Sequence, residues 1–391
     1  MIKSLEGTLT RYRYGLPGDT SFVYQFEREV ESLFDAPHCL AVNSCTSALI
    51  TALGALGVQP GDEVIVPGYT FIASMASVVF AGATPVLAEI DDTLNLDPDD
   101  VARKITPRTR GIIAVHMLGA GADLDRLGAV AKEHGLFLLE DVAQACGGSQ
   151  HGRRLGSIGD CGAFSLNYFK VITSGEGGFL LTNGEALYRR AYAIHDHGFA
   201  PMRDGTVDDN AIFGLNVRMP DFAGALALAQ IRKLDQILAR TREVKNKLAA
   251  EIGDLPGVTR RRLVDPAGDC ALALAYIFPD AGFADEVAGL LGTRTLLSSG
   301  RHYYGNMGQL RTMDKPGGSR PFHRPDAGNA RSYEPGSLPN TDSLLARTIA
   351  LSTGSADSYS ATGFGATVQS TDDEIATVAA KFRSAVTTVH G

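Results

Sequence analysis

Three stretches of this chain carry residue types that can do chemistry together. In Ala163-Phe164-Ser165-Leu166-Asn167-Tyr168-Phe169-Lys170 a lysine follows apolar and aromatic neighbours and leads into the glycine-rich turn Thr173-Ser174-Gly175-Glu176-Gly177-Gly178. A charged amine is costly in such surroundings unless desolvation lowers its pKa, which is the condition for a neutral, nucleophilic lysine able to form a Schiff base. In Leu136-Phe137-Leu138-Leu139-Glu140-Asp141-Val142-Ala143-Gln144 a carboxylate ends an apolar run, with an amide three residues on. An acid so placed can hold a heteroaromatic ring nitrogen protonated, so that the ring accepts electrons from a carbanion. In Leu40-Ala41-Val42-Asn43-Ser44-Cys45-Thr46-Ser47 an apolar run passes into a helix start, where free amides and the helix dipole favour a phosphate. Each stretch alone also has an ordinary reading: Ser and Thr are common N-caps, an Asp can cap a helix, and most lysines lie on the surface.

The elements that must position these residues follow from the hydrophobic pattern. Short apolar runs recur at Leu40–Val42, Glu63–Val66, Pro85–Leu87, Ile112–Val115, Leu136–Leu139 and Phe179–Leu181, and are read as buried parallel strands. Helix-like segments such as Thr46–Leu56 and Asp123–His134 lie between them, as an α/β sheet covered on both faces demands. In such a sheet ligands bind beyond the carboxyl ends of the strands, which is where the polar residues above fall. From Pro220 to about Leu248, apolar residues at helical spacing (Ala225, Leu228, Ile231, Leu234, Leu238) predict one long helix leaving the sheet. The division is expected there, with a large domain over residues 1–240 and a small α/β domain over 241–391 containing a strand at Ala271–Phe278 and helices at Ala284–Leu291 and Asp373–Thr388. The segment Gly300–Pro339, rich in Gly, Pro, Arg and His, has no period and is expected to be a functional loop region.

Composition narrows the classes. With 391 residues, 44% apolar and 20% charged, the chain is that of a globular protein with room for two cores. A net charge of -8, with no stripe of Lys and Arg, argues against nucleic acid. Five dispersed cysteines without a CxxC pair read as reduced thiols, and no metal site is expected. The opening Met1-Ile2-Lys3-Ser4-Leu5-Glu6 lacks a secretory apolar stretch, and the apolar window Phe71–Ile90 is broken by Gly82 and Pro85, so a cytoplasmic protein off the membrane is expected.

Taken in order, several blocks resemble the DegT/StrS group of sugar aminotransferases, fold-type I enzymes dependent on pyridoxal 5'-phosphate (PLP). They are Ala41–Leu49, Gly61–Pro67 with Thr70-Phe71, Gly82–Val86, His116–Gly119, Glu140–Gly147, Phe164–Gly178, His197-Gly198 and Gly214–Met219. The resemblance implies a large domain with a mostly parallel seven-stranded sheet. It implies that Lys170 is the Schiff-base lysine and later the general base, and that Asp141 pairs with the pyridine nitrogen. By the same resemblance Gln144 lies near the ring hydroxyl, Phe71 stacks on the ring, and Ser165 with Ser44 and the amides of Cys45 and Thr46 cradles the phosphate. Asn216 matches a residue that reaches the phosphate of the neighbouring subunit, which implies a homodimer with shared active sites. Cys45 stands where the family commonly has Gly, which puts the approach of the cradle backbone in question. The Arg301-His302-Tyr303-Tyr304 and Phe322-His323 segments depart from the pattern, and His302 and His323 are candidates for substrate contact.

The implied reaction moves an amino group from L-glutamate or L-glutamine, through pyridoxamine 5'-phosphate, to a keto-sugar, keto-cyclitol or related ketone in antibiotic or polysaccharide precursor biosynthesis. Cyclitols, aminoshikimate-type precursors and eight-carbon keto-sugar acids all stay open as acceptors. A sister dehydratase branch has histidine in place of the lysine, and Lys170 argues against it. A nicotinamide oxidoreductase needs G-x-G-x-x-G after the first strand, and Gly119-Ala120-Gly121-Ala122-Asp123-Leu124 fails at the third glycine. A catalytically silent regulatory protein on the same fold is disfavoured by Lys170, Asp141 and Gln144 together.

Overall fold

The computed structural model describes residues 20–198, 212–313, 318, 320, 331–354 and 361–390. Seven strands form the main sheet: β1 (His38–Val42), β2 (Glu63–Pro67), β3 (Thr84–Ala88), β4 (Thr109–Val115), β5 (Phe137–Asp141), β6 (Cys161–Ser165) and β7 (Gly178–Thr182), in spatial order β1-β7-β6-β5-β4-β2-β3. All neighbours from β6 to β3 run parallel. Helices α1 (Phe22–Phe34), α2 (Cys45–Ala55), α3 (Ile72–Phe80), α4 (Pro98–Lys104), α5 (Leu124–His134) and α6 (Glu185–His195) pack around it. Each face of the sheet is covered by its own apolar cluster, so every strand reads as a continuous buried run with little alternation.

One strand departs from expectation. The run Phe179–Leu181 was expected to be parallel, yet β7 lies antiparallel to both β1 and β6. The cause is the connection. A parallel return needs a crossover, usually helical, that carries the chain back to the opposite end of the sheet. Residues 166–177 instead fold back as a turn laced by Leu166 N–H to Gly177 O, Tyr168 N–H to Gly175 O and Ser174 N–H to Leu166 O, each 2.9–3.0 Å. Lys170 sits in that turn, beyond the carboxyl end of β6.

A second correction concerns the long helix. It is two helices, α7 (Asp221–Ile231) and α8 (Leu234–Ile252), separated at Arg232-Lys233. No Gly or Pro marks the break. Packing causes it: α7 lies on α1, where Asp221 Oδ1 accepts from Val23 N–H at 2.9 Å and a side chain at Gly224 would collide with Val23. Helix α8 buries Leu234 and Leu238 in the core of the main sheet and Val244, Leu248 and Ile252 in a further cluster. That cluster holds a three-stranded antiparallel sheet, in order β8 (Thr259–Arg260), β9 (Ala273–Ile277) and β10 (Thr348–Ser352), with helices α9 (Ala281–Leu291) and α12 (Asp372–His390). Two short helices, α10 (Gly308–Thr312) and α11 (Pro339–Ala346), stand between them in sequence. Among the described residues no helix is long and apolar enough to cross a membrane.

Candidate active site

Helix α2 begins directly at the end of β1. Ser44 is its N-cap, accepting from Ser47 N–H at 3.1 Å, so its side chain performs the ordinary capping role while it faces the site. Cys45 and Thr46 open the helix, and residues in that position have N–H groups with no intrahelical acceptor. Cys45 has no left-handed backbone, so at this position the residue pays no conformational penalty for not being glycine. Burial first, and the Asp141 carboxylate second, push its thiol well above the usual range, against the opposing pull of the Lys170 ammonium.

Asp141 ends β5 and is buried. Its Oδ1 accepts from Ala143 N–H at 3.1 Å and lies 4.0 Å from the Cys45 sulfur, and its Oδ2 accepts from Ser74 Oγ–H at 2.7 Å. One residue earlier, Glu140 points to the other face. It accepts from Gly156 N–H at 2.6 Å, Ile158 N–H at 2.9 Å and Gly159 N–H at 2.7 Å, and meets His116 Nε2 at 3.1 Å. Because His116 Nδ1 accepts from Ala122 N–H at 3.0 Å, the ring proton sits on Nε2 and is donated to Glu140. This network ties the end of β5 to its neighbouring loops. Gln144 Oε1 accepts from Leu118 N–H at 3.0 Å, which leaves the amide nitrogen as the end able to donate to a ligand oxygen.

On the opposite wall, Phe71 starts α3 without any side-chain cap and keeps 36% of its surface exposed toward the cleft. Its ring lies 5.5 Å from that of His302, which is buried. The two segments are stitched by backbone: Thr70 N–H donates to His302 O at 2.9 Å, Tyr304 N–H to Gly68 O at 3.1 Å, and Tyr69 bridges Tyr303.

These walls enclose a cleft of about 700 Å³ lined by Ser44, Cys45, Thr46, Phe71, Asp141, Gln144, Ser165, Lys170 and His302, with Asn167, Glu176, Thr241 and Arg301 around them. Nine of the residues singled out from sequence thus converge on one space. Lys170 is half-buried there, while its neighbours Tyr168 and Phe169 are exposed, Phe169 at the edge of the cleft lining. Asn216 is exposed and does not line this chain's own cleft. His323 lies outside the described residues. Ser74, Thr70 and the His116–Glu140 pair were given no site role from sequence, although Thr70, His116 and Glu140 stand in blocks that carry the resemblance. Their contacts join hydroxyls four residues apart at a strand-to-helix junction, and a His just after β4 with a Glu one residue before the end of β5, pairings that only the fold brings about. Among the described residues no group of three or more His, Cys, Asp or Glu side chains could hold a metal, and all five cysteines are buried with none in a disulfide.

Residues 18–358 match the model of the DegT/DnrJ/EryC1/StrS aminotransferase family. The chain belongs to this family. Its relatives in the family include an L-glutamine:2-deoxy-scyllo-inosose aminotransferase of Streptoalloteichus tenebrarius, 40% identical over 66% of this chain and 64% of that protein. A GDP-perosamine synthase of Caulobacter vibrioides is 41% identical over 57% of this chain and 60% of its own length. The matched region therefore spans somewhat under two thirds of these curated relatives. Among solved structures, a 3-amino-5-hydroxybenzoic acid synthase superposes with a TM-score of 0.75 at 29% identity, covering 94% of this chain and 91% of the other. The mostly parallel seven-stranded sheet is that of fold-type I aminotransferases.

Proposed function

We propose that this protein is a PLP-dependent aminotransferase that moves an amino group from L-glutamine or L-glutamate to a keto-cyclitol or keto-sugar. The observation that carries the reading is the convergence of Lys170, Asp141, Gln144, Ser165 and the α2 N-terminus on one cleft. The donor set suits the cofactor: free amides and hydroxyls for a phosphate, an amide donor for a phenolic oxygen, a buried carboxylate for a ring nitrogen, and an open aromatic face at Phe71. When bound, PLP supplies an electron sink for the carbanion at the donor's α-carbon. Lys170 would hold the cofactor through Nζ and, once freed, carry the proton to and from that α-carbon. Asp141 would keep the pyridine nitrogen protonated, and the walls formed by Phe71 and His302 would exclude water from the ring.

The named relatives support a polyhydroxylated ketone as acceptor, and among them the glutamine-dependent inosose enzyme favours L-glutamine and a cyclitol. The assembly is a homodimer in this reading. Tyr168 and Phe169 beside Lys170, and Phe213 and Leu215 next to Asn216 in sequence, are exposed large apolar residues, as expected where a second copy covers them. Residues 1–240 form the cofactor domain and 241–391 the smaller one, a division supported by the change of core along α8 between Leu238 and Val244.

The test is the absorbance of the protein with PLP, before and after each donor. A lysine-dependent band that L-glutamine or L-glutamate abolishes is expected, and Lys170→Ala should lack both band and turnover. A band that neither donor alters would refute the donor assignment, and no band at all would refute the cofactor.

A further inference from the structure

Asp141 is held by a chain of side chains that the reading above does not use. Ser74 lies in the first turn of α3 and is fully buried, as is Thr70 just before that helix. A serine inside a helix ordinarily turns its hydroxyl back to a carbonyl of the preceding turn. Ser77 does this, donating to Ser74 O at 2.8 Å. Ser74 does not: its hydroxyl leaves the helix and donates to Asp141 Oδ2 at 2.7 Å, on a strand 67 residues away. The carboxylate has no proton to give, so the only hydrogen of the Ser74 hydroxyl is committed to it. The Thr70 hydroxyl has two acceptors in reach, Ser74 Oγ at 2.7 Å and Phe71 O at 3.3 Å, and its hydrogen goes to the nearer, because two lone pairs facing each other at 2.7 Å would repel. The direction of the relay is thereby fixed as Thr70 to Ser74 to Asp141. Asp141 Oδ1 is meanwhile held by Ala143 N–H, so each carboxylate oxygen has its own donor and the plane of the group is set.

We propose that Ser74, polarised by Thr70, is a positioning residue that fixes the Asp141 carboxylate for the pyridine nitrogen of the cofactor. This rests on the PLP reading of the cleft. Phe71 lies between the two hydroxyl residues in sequence, so one short segment sets both the aromatic face and the orientation of the acid.

The experiment compares wild type, Ser74→Ala, Ser74→Thr and Thr70→Val. Alanine is favourable inside a helix, and circular dichroism will establish that the variants fold. Apo-protein is titrated with PLP and the lysine-dependent band recorded, then kcat and KM for the amino donor are measured. A hydrogen bond to a charged group, lost while its partner stays buried, corresponds to roughly ten- to hundredfold in an equilibrium or rate constant. Ser74→Ala should weaken PLP binding about tenfold and lower kcat by roughly ten- to hundredfold, with KM for the donor changed by less than about threefold. Ser74→Thr, which restores the hydroxyl, should recover most of both, and Thr70→Val should give the same pattern more weakly. A purely packing role would not be rescued by the hydroxyl and would not divide kcat from KM. A Ser74→Ala protein with wild-type PLP affinity, band and kcat overturns the proposal while leaving the PLP reading intact. A wild-type protein that gives no lysine-dependent band overturns that reading instead, and this proposal with it.

Discussion

At Gly178 the main sheet lies close against the start of α2. A β-carbon built there would stand 2.6 Å from Cys45 N, 2.6 Å from Phe164 O and 2.6 Å from the carbonyl carbon of Ser44. Ordinary contact begins near 3.4 Å, so the deficit is 0.8 Å on three sides, and every obstructing atom is backbone. No rotamer change can relieve it. Either β7 leaves β6 or the N-terminus of α2 is pushed away from the sheet. Gly178→Ala should therefore cost about 1–3 kcal/mol or more, by the general cost of overfilling a packed interior. For a chain of this size that is a fall in Tm of several degrees. The displaced amides of Cys45 and Thr46 belong to the proposed phosphate cradle, so PLP affinity should fall about tenfold or more with the same change. The assay is a thermal melt of the apo-protein beside a PLP titration, with Gly289→Ala as control. Gly289 lies on α9 with nothing within 4 Å of the added carbon, and that substitution should leave both quantities unchanged or raise Tm slightly. A Gly178→Ala protein with wild-type Tm and PLP affinity would refute the packing argument. One with lowered Tm but unchanged affinity would refute the link from β7 to the cradle.

Two further outcomes concern titrating groups. Burial works to raise the Glu63 carboxyl, but the Thr106 hydroxyl and the Arg331 and Arg108 guanidiniums outweigh it and hold the group below its ordinary value near 4.5. A carboxyl lowered by folding lends stability that is present above about pH 4.5 and is lost as pH falls through the lowered value. Denaturant melts of wild type and Glu63→Gln should thus differ most at neutral pH and converge in acid, and a gap that widened on acidification would contradict the assignment. Burial and the neighbouring Asp141 keep Cys45 a neutral thiol, so iodoacetamide at neutral pH should leave it unmodified in the native protein although it borders the cleft. Mass spectrometry should find all five cysteines labelled only after unfolding, and early labelling at Cys45 would count against its protonated state.

What the sequence made legible follows from how much of each feature is local. Strands β1 to β5 are continuous apolar runs because both faces of the sheet are covered, and their carboxyl ends predict where Asp141 and Gln144 fall. Strand β6 is harder to see, since Cys161-Gly162-Ala163 must be small: a side chain at Gly162 would meet Gly156 backbone at 2.4 Å. The direction of β7 depends on hydrogen bonds across the Lys170 turn, which no periodicity records. The break between α7 and α8 has no glycine or proline because tertiary packing, not propensity, places it. In the site, Lys170 and Asp141 stand out because an ionisable residue among apolar ones is conspicuous. Thr70 and Ser74 do not, since hydroxyl residues occur everywhere and only the fold brings them to Asp141. The approach of His302 to Phe71 rests on backbone bonds between segments more than two hundred residues apart.

Helix α8 runs unbroken from the core of the main sheet into that of the smaller one, and on its way Ile237 and Thr241 form part of the cleft wall. Thr241 Oγ1 also donates to Cys270 O at 2.7 Å, just before β9. A helix is stiff along its axis, so this wall behaves as the short arm of a lever whose long arm is buried among Val244, Leu248 and Ile252. Side-chain volume around that long arm, far from Lys170 and Asp141, is thus a place where the width of the cleft can be adjusted without touching either residue.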